Sequence, residues 1–379
     1  MNGDIQPFRV AIPQDQLDDL ARRLDATRWP DSEPVGDWSQ GVPLTQMREL
    51  ADYWRTSYDW RRCETLLNSF PQFTTEIDGV EIYFLHIRSP NPDALPMIMS
   101  HGWPGSVLEF TKVLGPLHDP QAYGGDIRDA FHLIIPALPG FGFSGKPKKA
   151  GWTVGRIASA WHKLMIRLGY DRYVAQGGDW GAAVTTALGA HRPAGLTAIH
   201  VNLPMVLPKD AFDELSHDEA EMLSAMKHYQ RWEAGYSILQ ASRPQTLGYG
   251  LADSPVGQAA WIFEKFQAWS DCDGNLFNIL TRDEILDGIM LYWLTGSATS
   301  SARLYWESYV GGFGATELHI PTGCSIFPKE IYRAPRSWAD RCIHNIIHWN
   351  ELDKGGHFAA LEQPGLFVDE VRTCFRAIR

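Results

Sequence analysis

The sequence predicts an α/β fold: a mostly parallel central sheet with helices on both faces, an inserted helical cap and a helical N-terminal arm. Three observations carry this. Short apolar runs ending in Gly or Pro alternate with helical runs over residues 76–203, and strands resume after 312, as expected for parallel strands buried on both faces. Between them, from about 204 to 311, helical runs follow one another with no convincing strand. The pentapeptide Gly177-Gly178-Asp179-Trp180-Gly181 joins an apolar run to a helical one with the small-x-nucleophile-x-small spacing of a sharp strand-to-helix elbow.

The elements follow in chain order. Residues 1–75 form the arm. PQDQLDDLARRLDATRWP places Leu17, Leu20, Ala21 and Leu24 on one face, with Pro30 ending the pattern. LTQMRELADYWRTSYDWRRCETLLNSF reads as a second helical stretch. The arm carries no catalytic constellation and is expected to pack over the main body near the entrance to a site. A hairpin then turns at Asp78-Gly79, between TTEID and VEIYFLHIR. PMIMSHG, HLIIPALPG, DRYVAQGG and LTAIHVN read as parallel strands, with VGRIASAWHKLMIRLG as a helix between two of them. DELSHDEAEMLSAMKHYQRWEAGYSILQ, SPVGQAAWIFEKFQAW and RDEILDGIMLYWLTGSA read as cap helices. PTGCSIFP and HNIIHWNELD restart the sheet in the second part of the core, 312–379, and PGLFVDEVRTCFRAI closes the chain as a helix.

The elbow needs Gly because a Cβ would clash where strand and helix cross. Its centre is Asp179 rather than Ser. A carboxylate there suits displacement at carbon, forming an ester with the substrate. It excludes a Ser-type esterase at this position, although Ser106 and Ser144 lie in loops expected to face the site. Taken alone, a Gly-rich loop whose Asp only caps a helix fits the pentapeptide as well. Three further pieces sharpen it. HGWPGS (101–106) follows a strand, and a turn there can aim the Trp103 N–H, with that of Trp180, as an oxyanion hole; its Trp103-Pro104 bond is a candidate cis peptide. His357 in Gly355-Gly356-His357-Phe358 follows the last strand, where this architecture keeps its base. Glu330, after PTGCSIFP, fits the orienting acid, with Asp353 its competitor.

Together HGWPGS, LPGFGFS, QGGDWG, SIFPKE and KGGHFAALEQP resemble the microsomal-type (juvenile-hormone-type) epoxide hydrolases of the α/β-hydrolase superfamily. The resemblance covers nearly the whole chain and includes the arm, which is similar to that family's N-terminal domain. It implies the α/β-hydrolase fold and hydrolysis of an epoxide to a vicinal diol. Asp179 would form a hydroxyalkyl ester, and His357 with Glu330 would activate water to cleave it. The resemblance assigns Tyr236 and Tyr305 as the acids that assist ring opening, with Tyr229, Tyr249, Tyr292 and Tyr309 as competitors. No cofactor or metal is required. Many eukaryotic members carry an N-terminal membrane anchor, whereas this chain begins at the arm, so none is expected here.

Composition fits this reading. The formal net charge is -11, which disfavours nucleic acid and anionic membranes as partners. Five scattered Cys without metal spacing fit reduced thiols in a cytoplasmic protein. No secretory signal or membrane-spanning run is visible. The expected partners are water and a small apolar epoxide, and a homodimer is compatible with the sequence. Trp232, Trp261, Phe263, Phe266, Trp269 and Trp293 point to a bulky aryl or apolar substrate, and the GFGFS and GGFG loops to borders of the site. A haloalkane dehalogenase, with the same Asp nucleophile, and a catalytically silent ligand-binding protein are the rival readings.

Overall fold

The structure, a computed structural model, describes residues 4–208, 215–309 and 317–379. Nine strands are described: β1 (Gln6–Pro7), β2 (Gln72–Ile77), β3 (Val80–Ile87), β4 (Leu95–Ser100), β5 (Phe131–Pro136), β6 (Tyr173–Gly177), β7 (Leu196–Val201), β8 (Thr322–Ile326) and β9 (Ile346–Glu351). They form one sheet in the order β1-β2-β3-β5-β4-β6-β7-β8-β9. The first three strands join antiparallel, β3 pairs antiparallel with β5, and β4 to β9 run parallel. Strands β4 to β8 are almost wholly buried and read as continuous apolar runs, because helices cover both faces. The β2–β3 hairpin turns at Asp78 (φ 52°) and Gly79 (φ 82°), the positive-φ pair that a two-residue turn demands.

Two helical readings change in detail. The second arm stretch is two helices, Leu44–Thr56 and Trp60–Asn68. The break falls at Ser57-Tyr58-Asp59, where the Asp59 side chain accepts from the Arg61 N–H and caps the second helix. The first cap run is likewise divided: an α-helix over His217–His228, a π-helical turn over Tyr229–Glu233, then a helix over Gly235–Ser242. Its first residues, 213–214, the 311/312 boundary and the GGFG loop lie outside the described residues. The helices Pro244–Asp253, Pro255–Trp269, Arg282–Thr295 and Ala298–Ser308 complete the cap. Ser254 caps the second of these and a Thr281–Glu284 capping box starts the third.

The arm packs largely on the cap. The buried Asp287 carboxylate accepts from Tyr58 Oη (2.7 Å) and Arg62 (2.6 Å). Tyr53 reaches Asp283 (2.9 Å), and the Trp54 indole N–H points at Met290 Sδ (3.2 Å). Phe8, just beyond β1, holds the start of the arm against Tyr83 of β3 (ring centroids 5.1 Å apart). Among the described residues no helix is long and apolar enough to cross a membrane.

Replacing Asp287 strands the half-buried Tyr58 phenol and removes one of the two carboxylates on the Arg62 guanidinium, which keeps Asp283 at 3.3 Å. Asp287→Ala is expected to lower unfolding stability by about 2 kcal/mol in urea denaturation. A loss below about 0.5 kcal/mol would mean that solvent already satisfies both donors.

Candidate active site

Asp179, Trp103, Glu330 and His357 arrive on four different loops, all at the carboxyl edge of the sheet. They follow β6, β4, β8 and β9 respectively. The elbow after β6 sets the first of them. Asp179 sits at φ 51°, ψ −129°, a backbone region a non-Gly residue rarely adopts. The crossing is too close for side chains: a Cβ on Gly177 would stand 2.1 Å from the Gly181 carbonyl oxygen, and one on Gly181 1.9 Å from that of Ser100. Gly178 meets no such neighbour, so the steric demand falls on the two outer glycines. Trp180 opens the helix Trp180–His191 that leaves the elbow.

The Trp103 N–H donates to Asp179 Oδ1 at 2.7 Å. Gly102 makes this approach possible, because a Cβ there would lie 2.1 Å from the same oxygen. The Trp103–Pro104 bond is cis, as the turn reading anticipated. On its other side Asp179 presents Oδ2 to His357 Nε2 at 3.3 Å. His357 Nδ1 lies 2.5 Å from Glu330 Oε1. Glu330 is therefore the carboxylate paired with the imidazole, and the competitor Asp353 is exposed. Backbone pairing fixes the pair: the Lys329 N–H donates to Gly355 O (3.1 Å), and the His357 N–H donates to Trp269 O of the cap (2.9 Å).

Burial opposes a charge on His357, but the Glu330 and Asp179 carboxylates outweigh it and raise its pKa well above the usual histidine value. The folded value thus exceeds the unfolded one. The imidazolium contributes stability in full below the unfolded pKa, and that contribution is lost as pH rises through the folded one.

Tyr236 and Tyr305 stand over Asp179 in a cavity of about 370 Å³ that Asp179 and Trp180 also line. The Tyr305 ring meets Trp180 edge-on at 4.7 Å, and Tyr236 stacks on Trp103 at 5.1 Å. Burial pushes both phenols well above their usual pKa, so they stay protonated donors. The buried Tyr305 hydroxyl has no partner in hydrogen-bonding geometry. Tyr229, on the π-helical turn, lines the same cavity and lies 3.0 Å from the Tyr236 hydroxyl, while Tyr309 lines the rim. The other competitors are elsewhere: Tyr292 is buried and donates to Gly105 O, and Tyr249 is 72% exposed.

Several expectations need correction. None of the six cap rings taken to point to a bulky aryl or apolar substrate is among the lining residues of this cavity. Trp232 is 66% exposed, Phe263 and Phe266 belong to the core, and Trp269 packs on His357 (5.0 Å). The apolar wall is instead Leu203, Met205, Val206, Leu207, Met226 and Ile331. These residues follow β7 and β8 or sit in the cap, and an aromatic count could not single them out. Of GFGFS, Phe141 is core, packed on His101 and Tyr292. Ser144 bridges Ala137 O and the Tyr83 N–H, and Ser106 caps a short helix, so neither acts at the elbow. Sequence reasoning also passed over the half-buried Glu109 and the buried Gln176 and Asn202, which line a small cavity beside Asp179. The available signals were a lone carboxylate inside the apolar run VLEF and a Gln at the end of an apolar strand.

Comparison with known proteins agrees with this geometry. A family model described as epoxide hydrolase N terminus matches residues 5–110, and one described as alpha/beta hydrolase fold matches 96–239. A protein of Stigmatella aurantiaca (strain DW4/3-1) with a provisional epoxide hydrolase name is 56% identical over 376 residues, spanning 99% of this chain and 86% of that protein. Epoxide hydrolase 1 of Sus scrofa is 34% identical, spanning 97% of this chain and 88% of its own length. The crystal structure of juvenile hormone epoxide hydrolase from the silkworm Bombyx mori superposes with a TM-score of 0.90 at 29% identity, covering 99% of this chain and 95% of that one.

The electrostatics of His357 can be read directly. In Asp179→Asn one of the two carboxylates that raise its pKa is gone, so the imidazole titration followed by NMR is expected to move to lower pH. An unmoved titration would take Asp179 out of the histidine's electrostatics.

Proposed function

The chain belongs to the epoxide hydrolase family, and from that premise we propose that it converts an apolar epoxide to a vicinal diol through an ester on Asp179. One observation carries the proposal. A single carboxylate lies between a backbone N–H at 2.7 Å and an imidazole at 3.3 Å, below two buried phenols that line the same cavity.

The epoxide oxygen accepts from Tyr236 and Tyr305. Asp179 attacks one ring carbon from the opposite side. The C–O bond of the ring breaks, and the phenols supply the proton for the emerging alkoxide. Esterification neutralises Asp179. One of the two charges that raise the His357 pKa disappears, the pKa falls, and the imidazolium gives up its Nε2 proton, which restores the phenol and leaves Nε2 free to take a proton from water. Glu330 keeps the ring oriented through Nδ1. The hydroxide attacks the Asp179 carbonyl carbon, and the N–H groups of Trp103 and Trp180 stabilise the oxyanion. The acyl C–O bond breaks and the diol leaves, taking its proton from His357, and the regenerated Asp179 carboxyl returns its own proton to Nε2. The aliphatic wall and the 370 Å³ cavity favour a compact apolar epoxide. The two phenols argue for an oxygen leaving group, which needs a proton, over a halide, which does not.

Oxygen-18 water tests the scheme. With excess enzyme and styrene oxide, the first-turnover diol should be unlabelled and the label should appear in the Asp179 peptide. Labelled diol with an unlabelled peptide would mean direct attack by water. His357→Gln is expected to form the ester and hold it, visible as an adduct in the intact-protein mass spectrum.

The phenols are tested separately. Tyr236→Phe with Tyr305→Phe is expected to slow ring opening by about a hundredfold or more, and either change alone by less. Ring opening at the wild-type rate in the double variant would overturn the assignment of the acids.

A further inference from the structure

A second cavity, of about 30 Å³, lies beside Asp179 and His357 and is lined by Glu109, Gln176 and Asn202. It does not share Tyr236, Tyr305 or the aliphatic wall with the larger cavity; Asp179 is common to both. The volume suits one or two water molecules, and a buried water needs two to four polar partners. The lining offers them. Gln176 Nε2 donates to Asn202 Oδ1 at 2.7 Å, which leaves Gln176 Oε1 and Asn202 Nδ2 as a buried acceptor and a buried donor without partners. Both side chains are at least nine-tenths buried. Orphaned polar atoms in such a place are costly unless water meets them.

Glu109 is the third polar wall. It sits in the short helix Val107–Phe110 after the Trp103 turn, and its carboxyl packs where a Cβ on Gly105 would come within 2.2 Å of Oε1. The steps proposed above leave this half-buried carboxyl unused.

We propose that this small cavity is the seat of the hydrolytic water, positioned by Glu109, Gln176 and Asn202 within reach of His357 and the Asp179 carbonyl. The inference rests on the ester reading of Asp179. It separates the two reactants: the epoxide enters from the aliphatic side, and water waits on the side of the imidazole. Water is then already in place when esterification turns His357 into a base. Its proton passes to Nε2, its oxygen bonds to the Asp179 carbonyl carbon, and the diol oxygen departs. Burial lifts the Glu109 carboxyl to about 8, with Asp179 and Glu330 adding to the rise and His357 opposing it. Near neutral pH it therefore carries a proton and can both donate to and accept from one water.

Quench-flow with styrene oxide and intact-protein mass spectrometry separates the two steps. In Glu109→Leu and Asn202→Leu, ester formation is expected to stay within about threefold of wild type while ester hydrolysis slows about tenfold or more. Glu109→Gln, which keeps a donor and an acceptor, should recover most of the hydrolysis rate. Melting curves on each variant separate these effects from loss of fold. Hydrolysis within twofold of wild type in both folded Leu variants would overturn the water site and leave the ester scheme standing. Absence of any ester in wild type and in His357→Gln, with label entering the first-turnover diol, would overturn the ester scheme itself and the water site with it.

Discussion

Where β6 meets the helix that follows it, three backbone segments occupy space that a single methyl group would fill. The Ser100 carbonyl presses on Gly181 and the Gly181 carbonyl presses on Gly177. This crossing holds Asp179 in its unfavourable backbone conformation, which the surrounding sheet over-determines. It also sets the distance from β6 to β4, and so from the carboxylate to the Trp103 N–H. Every other contact in the site is measured from there. Asp179 is held by backbone, while its partners are brought to it by loops.

The second organising fact is the number of buried and half-buried carboxyls around one imidazole. Asp179 and Glu330 touch His357 directly, and Glu109 and Glu362 interact with it electrostatically. Their environments push them apart. Glu362 accepts from the Asp271 and Phe358 N–H groups, which lower its pKa, yet burial dominates and lifts it to about 7. It braces the loop that carries His357 against the cap. A cluster of this kind is tolerable because one positive charge is shared among the groups and others can remain protonated.

Much of this was legible in the sequence because it depends on local pattern. The strand runs, the Asp78-Gly79 turn, the elbow and the order Asp179, Glu330, His357 are all written in short segments, and the structure brings those three residues together. The break at Asp59 was masked by an unbroken apolar periodicity, although a capping Asp three residues beyond the end of a helix was its signal. The π-helical turn at Tyr229 had no pattern to announce it, since one extra residue per turn leaves composition unchanged. The lining of the cavity was the least legible part. Met205, Val206 and Ile331 come from loops after two different strands, and only the sheet order makes them neighbours. The aromatic residues of the cap misled because large rings in a helical layer are needed first to fill its own core.

Tyr292 of the cap donates to the carbonyl of Gly105, in the same turn that carries Trp103, and the His357 N–H donates back to the cap at Trp269. On its other flank the cap holds Asp283 and Asp287, which the arm satisfies through Tyr53, Tyr58 and Arg62. The cap is therefore not an interchangeable module. Grafted onto a relative without its arm, it would bring two deserted carboxylates and an uncovered apolar flank. Grafted without the 101–106 turn and the 355–358 loop, it would lose the bonds that register it over the sheet. These segments form one heritable unit although they are scattered along the chain, and chimeras between relatives should be cut around it.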